Sequence, residues 1–303
     1  KLEDISTDLI NHTVTTGSGD DTISMRADRL TSGDNINGGD GTDILKLTNY
    51  DATNQITDAK FTNVTNIETL ELADVASQNI TLDDNALDNG IETIDADALT
   101  SAITVTVSST DEDHDITVNT GSGDDIITIG NESNIVVDAA GGANEISVGD
   151  GVSTITVTDG ANTITVGNGT STITAGDGAN DITVGSGAKT INTGASDDTV
   201  TMKAADLDSN DALVDSAGTA DKLVLTSNGA NTTISAADFS GVSGFETLEL
   251  QENGAYTQDI TLTSGNKQHH INWWKKHLDQ EINTTVNTVI EMLVSEFGAS
   301  LRE

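Results

Sequence analysis

From Gly141 to Met202 an apolar residue returns at every ninth position, as Ile146, Ile155, Ile164, Ile173, Ile182, Ile191 and Val200. A second, smaller apolar residue follows two places later at Val148, Val157, Val166, Ala175 and Val184. An apolar, polar, apolar triplet is a short strand whose two ends face one interior. Between the triplets lie Gly, Asp, Asn and Ser, which accept tight bends and positive φ. One such strand cannot bury its apolar face alone, but a stack of them can, and a fixed short period is the mark of a solenoid. The pattern predicts an all-β fold, a right-handed parallel β-solenoid of the β-roll kind with two nonapeptides in each coil.

The flanks carry a looser version of the same alternation. Ile80 and Leu82, then Ile103, Val105 and Val107, Ile116 and Val118, and Ile127 and Ile129 read as strands leading into the central run. A longer module also occurs twice, the second copy displaced from the first by a nearly constant offset. Asp20 to Ala27 returns as Asp197 to Ala204, Asp43 to Leu47 as Asp221 to Leu225, and FTNVTNIETLEL (61–72) as FSGVSGFETLEL (239–250). Within the first copy Ile67-Glu68-Thr69-Leu70 is echoed by Ile91-Glu92-Thr93-Ile94, at a spacing longer than two nonapeptides, which points to coils of larger perimeter. The chain therefore divides into a first module over 1–110, a central roll over 111–202, a second copy of the module over 203–266 and a tail over 267–303. In the tail Trp274, Leu278, Ile282, Val286, Val289, Leu293 and Phe297 recur at spacings of three and four, predicting an amphipathic helix that Gly298 ends.

Charge narrows the partners. Fifty acidic residues stand against 12 basic ones in 303, a net charge of -38. That disfavours nucleic acid and anionic lipid and invites divalent cations, whose binding would relieve self-repulsion and be linked to folding. With no cysteine there are no disulfides or thiolate metal sites, and aromatics make up only 3%, as a thin Ile, Val and Leu core requires. No proline interrupts the ladder, no apolar run is long enough for a transmembrane segment, and no secretory signal opens the stretch that begins at Lys1.

The chemistry that remains lies in the bends. Gly17-Ser18-Gly19-Asp20-Asp21, Gly38-Gly39-Asp40-Gly41-Thr42-Asp43 and Gly121-Ser122-Gly123-Asp124-Asp125 bring glycine carbonyls and carboxylates together, an oxygen-only donor set suited to Ca²⁺. These stretches resemble the Gly-Gly-x-Gly-x-Asp-x-apolar nonapeptide of RTX proteins, the calcium-binding β-rolls exported by type I secretion. Together with the Phe-led, Glu-Thr-Leu-closing segments, they resemble bacterial S-layer proteins and large RTX surface adhesins over residues 15–262.

The resemblance implies several bound Ca²⁺ ions held by Gly17, Gly19, Asp20, Asp21, Gly39, Asp40, Gly41, Asp43, Gly121, Gly123, Asp124 and Asp125, and by Asp197 and Asp198 at the far end. In the central repeats the sixth-position Asp is replaced by Asn144, Ser153, Asn162, Ser171, Asn180 and Lys189, while acids appear three places earlier at Asp150, Asp159 and Asp177. Calcium is therefore expected at the ends of the run, with weaker or drier sites inside it. The resemblance further implies a secreted, cell-surface structural protein that folds on meeting calcium outside the cell. Self-association or contact with neighbouring surface components would follow, and the tail would be an uncleaved export signal. A solenoid cap, an attachment helix and a segment of different origin are the other readings of that tail.

Competing readings are a glycan- or surface-binding adhesin, an ice binder using the Thr-x-Thr pairs at 154/156, 163/165, 172/174 and 199/201, and the calcium-binding end of a secreted enzyme or toxin. No nucleophile, base and orienting group stand at motif spacing, so no catalytic residues are assigned. The acidic stretches Asp111 to Asp115 and Asp206 to Asp211 lack an EF-hand's Gly and Glu and read as bends. His269, His270 and His277 read as solvated helix polarity.

Overall fold

A computed structural model of the chain describes residues 11–48, 55–73, 78–110, 113–227, 229, 232–251 and 258–261. The tail helix, the tail histidines and the approach positions Leu2, Ile5, Leu9 and Ile10 lie outside the described residues. What is described is a parallel β-solenoid, and every strand pairing in it is parallel.

Two long sheets form its walls. One has eleven strands, from Thr22–Arg26 through Val152–Asp159 and Ser171–Asp177 to Val242–Ser243; the other has ten, from Ile56–Thr57 through Thr163–Val166 and Asp181–Val184 to Thr247–Gln251. From Gln78 to Val214 the chain visits the two walls alternately, one strand on each per coil. Consecutive nonapeptides thus fall on opposite walls: Ile146, Ile164, Ile182 and Val200 form one inward column, and Ile155, Ile173 and Ile191 the other. All seven are at most 1% exposed.

Coil perimeter changes along the axis. In the centre, successive partners such as Val137, Ile155, Ile173 and Ile191 stand two nonapeptides apart. The coil is wider at Leu70, Ile94 and Val118, which accounts for the echo of the Ile-Glu-Thr segment. Beyond the centre it widens again, first between Ile191 and Leu213 and then further between Leu213 and Val242. The extra residues of the first module add a third, three-stranded side made of Thr13–Ser18, Asn35–Asp40 and Val64–Thr65, a 3₁₀ turn at Asp58–Phe61 and a single helical turn at Asp84–Leu87. These two turns depart from the all-strand expectation, and both seat apolar residues, Phe61 in one and Ala86 and Leu87 in the other, in the wider interior.

The core is one continuous column of side chains from Val14 to Phe245. Polar residues alternate outward, so each strand keeps one wet and one dry face.

Candidate functional site: a buried ladder of carboxylates and amides

The sixth residue of each repeat precedes an inward apolar residue by two, so in a strand it shares that residue's side and turns into the coil. Asp43, Asp125, Asn144, Asn162, Asn180, Asp198 and Asp221 are each at most 2% exposed. Stacked coil on coil, they form a ladder in which each side-chain oxygen caps the backbone N–H one coil before it. Ile103 N donates to Asp125 Oδ1 at 2.9 Å, Asp125 N to Asn144 Oδ1 at 3.0 Å, and Asn144 N to Asn162 Oδ1 at 3.0 Å. Asn162 N donates to Asn180 Oδ1 at 3.2 Å, Asn180 N to Asp198 Oδ1 at 2.7 Å, Asp198 N to Asp221 Oδ1 at 2.8 Å, and Asp221 N to Glu246 Oε2 at 3.1 Å. The N-terminal module has its own short ladder, Asp21 N to Asp43 Oδ1 at 2.8 Å and Asp43 N to Glu68 Oε2 at 2.6 Å.

Asparagine and aspartate serve this ladder differently. An amide both accepts and donates: Asn144 Nδ2 reaches Asn162 Oδ1, Asn162 Nδ2 reaches Asn180 Oδ1 and Asn180 Nδ2 reaches Asp198 Oδ1, at 2.9 to 3.1 Å. A carboxylate has no donor, so its second oxygen needs a partner from elsewhere. Asp43 Oδ2, Asp125 Oδ2, Asp198 Oδ2 and Asp221 Oδ2 are buried without a hydrogen-bond partner.

Electrostatics follow from this. Burial pushes the Asp125 carboxyl up, and the Thr120 hydroxyl, itself without a hydrogen-bond partner, lies close enough to pull against that. Burial pushes Asp198 up to about 6; bonds from Asn180 oppose the shift, while Asp215 and Asp221 reinforce it. Asp198, Asp215 and Asp221 each bring a carboxylate oxygen within 4.8 Å of the others. At 4.8 Å two full charges repel by about 3 kcal/mol at an effective dielectric constant of about 20.

The remaining predicted ligands line the outer bends. Asp20 accepts from Thr42 N at 2.9 Å, Asp124 from Ala143 N at 2.8 Å, and Asp197 from Thr219 N and Ala220 N at 3.2 and 3.1 Å, all exposed. Asp150 accepts from Asn168 N at 2.6 Å, and that contact holds its carboxyl below the usual range. Asp159 and Asp177 are exposed strand partners, one directly beyond the other. Asp40 is exposed beside Ser18. Among the glycines, Gly17 is paired with Gly39, while a Cβ on Gly41 would overlap the Gly19 carbonyl, and one on Gly142 the Gly123 carbonyl. Gly121 sits as close to the Leu99 carbonyl. The backbones at these bends therefore stack in contact. The predicted residues thus separate into an inner row (Asp43, Asp125, Asp198) and an outer row (Asp20, Asp40, Asp124, Asp197), with Asp21 half-buried at the ladder's N-terminal end.

Sequence reasoning missed four members. Asp221, read only as the echo of Asp43, stands in the ladder between Asp198 and Glu246. Glu68 and Glu246, read only as part of the closing segments, terminate the ladders. Asp215 belongs to no repeat and reaches the cluster because the coil there is longer than two nonapeptides. The signal for the glutamates was available, since Glu68 follows Asp43 at the same spacing as Glu246 follows Asp221.

The second sixth-position column differs. Ser153 and Ser171 are followed by Lys189, fully buried, whose Nζ donates to Gly169 O at 2.5 Å and Ser186 O at 2.6 Å. Burial pushes its pKa down, opposed by Asp211, Asp206 and Asp150. Within the acidic stretch 206–211, Asp211 caps Lys189 N and Asp208 N, both at 2.9 Å. In the stretch 111–115, His114 Nε2 lies 3.2 Å from Asp88, and Asp115 accepts from Asn134 Nδ2 at 2.6 Å. The threonine pairs stack on both walls, as in Thr154–Thr172–Thr190 and Thr165–Thr183–Thr201, and Val136 and Asp181 border them. No described helix is long and apolar enough to cross a membrane.

Comparison with protein-family profiles, with curated proteins and with solved structures returns no match for this chain.

Proposed function

We propose that this chain is a calcium-stabilised structural solenoid of the RTX kind, secreted and displayed at the cell surface as a layer or filament element. The observation that carries the reading is the contrast within the ladder. Where Asn stands, both ends of the side chain are bonded; where Asp stands, at 43, 125, 198 and 221, one buried oxygen has no partner. A buried unpaired carboxylate oxygen is costly, and a hard cation is the partner it lacks. The outer row of Asp and the stacked bend carbonyls supply further oxygens close by, so these residues fit Ca²⁺. Bound ions would offset the repulsion among 50 acidic residues and add their binding energy to folding. In a calcium-poor cytosol the chain would stay open for export, and at the roughly millimolar calcium met by extracellular modules it would close.

The test is far-UV circular dichroism and thermal melting of the full chain from chelator to about 10 mM calcium, above the weak-site range. The reading expects a gain of β signal and a midpoint that climbs with calcium. Identical spectra and midpoints throughout would defeat it.

A further inference from the structure

We infer that Asp198, Asp215 and Asp221 together form a single buried site for a hard divalent cation, inside the solenoid where the central roll meets the second module, separate from the Gly-Asp bends. The inference rests on the calcium reading above and adds to it one specific three-carboxylate site.

The geometry is that of a site still short of a partner. Asp198 and Asp221 are 1% and 0% exposed, and each has one oxygen committed to the ladder and one with no hydrogen-bond partner. Asp215, 6% exposed, accepts from the Thr193 hydroxyl at 2.5 Å and from Ala217 N at 3.1 Å. Carboxylate oxygens of all three converge within 4.8 Å. Gly218 and Gly244 wall the group: a Cβ on Gly218 would overlap the Asp221 carboxylate, and one on Gly244 would overlap Asp215. An all-oxygen, all-anionic donor set selects Ca²⁺ or a similar hard ion over softer metals.

The duplicated module supplies an internal comparison. Hydrogen bonds match pair for pair between the copies: His12 N to Asp34 with Lys189 N to Asp211, Asp21 N to Asp43 with Asp198 N to Asp221, and Asp43 N to Glu68 with Asp221 N to Glu246. In that alignment Asp215 corresponds to Gly38: Ile36 and Leu213 are the inward strand residues of the two copies, and Gly38 and Asp215 are the next inward places, two residues on. Gly38 lies against Asp43 as Asp215 lies against Asp221, and a Cβ on Gly38 would overlap the Asp43 carboxylate. The first copy therefore builds this place with no side chain at all. The carboxylate at 215 adds a third negative charge to a buried pair, which is costly unless a cation occupies the centre.

The experiment is calcium titration calorimetry and melting on the full chain, comparing wild type with Asp215→Asn, Asp221→Asn and the exposed, charge-matched control Asp138→Asn. Asp221→Asn reproduces the amide that the ladder already holds at Asn180 and preserves the bond to Asp198 N, and Asp215→Asn keeps a side-chain oxygen to accept from Ala217 N. Expected is the loss of one binding equivalent, or at least a tenfold weakening of it, in both site variants, with Asp138→Asn unchanged. In chelator both site variants should melt above wild type. If wild type binds calcium and both site variants bind it with the same stoichiometry and affinity, the three-carboxylate site is wrong while the calcium reading stands. If wild type binds no calcium, the reading of function fails and the site with it.

Discussion

Substituting Asn162 by Ala probes the ladder at its most regular rung. The Asn162 side chain accepts from Asn144 N and Nδ2 at 3.0 and 3.1 Å and donates to Gly160 O and Asn180 Oδ1, both at 2.9 Å. Its removal leaves the Asn144 N–H, on a residue 2% exposed, with no acceptor, an expense of about 1–3 kcal/mol. Asn144 Nδ2 retains only a long 3.5 Å contact with Gly142 O. The two lost donations add about 1 kcal/mol each, so the total is about 3–5 kcal/mol. Because each coil touches only its neighbours, the loss should appear as local opening of residues 144–180 before global unfolding. Hydrogen exchange across that stretch, together with guanidinium denaturation, measures both. Thr165→Ala, on the exposed face of the same coil, is the control and should cost under about 1 kcal/mol. The Asn162 penalty should also be equal in chelator and in calcium, since this rung is bonded entirely within the chain. An Asn162→Ala variant no less protected and no less stable than Thr165→Ala would refute the ladder as a stabilising element.

Three more expectations follow from the same interior. In chelator, stability should fall as pH rises from about 4 to about 7, because the folded state holds Asp198 near 6, and Asp125, Asp211 and Asp215 above their ordinary values. Raised groups lend stability below the unfolded pKa and lose it as pH passes the folded one; for Asp198 the change from 3.8 to about 6 bounds the loss at about 3 kcal/mol. A melting midpoint rising across that window in chelator would contradict the assignment. Lys189→Met should cost about 1–3 kcal/mol in chemical denaturation by leaving Gly169 O unpaired, and a neutral result would mean that the ammonium bonds only offset desolvation. Gly176→Ala should destabilise by about 1–3 kcal/mol or more, because its Cβ would overlap the Thr158 carbonyl of the coil below. Gly17→Ala, with nothing within 4 Å of the added carbon, should stay within about 0.5 kcal/mol; similar melting of the two variants would argue against the coil contact.

Local pattern determined the solenoid by itself. A nonapeptide apolar period with glycine bends admits no other way to bury Ile146, Ile155 and their successors, and the echo of the Ile-Glu-Thr segment already carried the wider perimeter of the flanking coils. The module duplication was visible in residue spacing alone, whereas the sixth-position residues, read from their Gly-Asp context as part of the bends, lie on the inner side, two places before the inward apolar residue. What only the tertiary structure decided is what those inner residues touch. Consecutive repeats lie on opposite walls, so the side chain beside Asn144 is Asn162, two nonapeptides on, and not Ser153. The capping of one coil's N–H by the next coil's amide depends on that register, which the chain sets by closing coils and not by neighbouring residues. The same cause brings Asp215 beside Asp198 and Asp221: a coil wider than the central ones carries it inward, where a strict repeat would have left it in an outer bend. Period is a property of the sequence, but which carboxylates share one buried space depends on coil perimeter, and therefore on the packed structure.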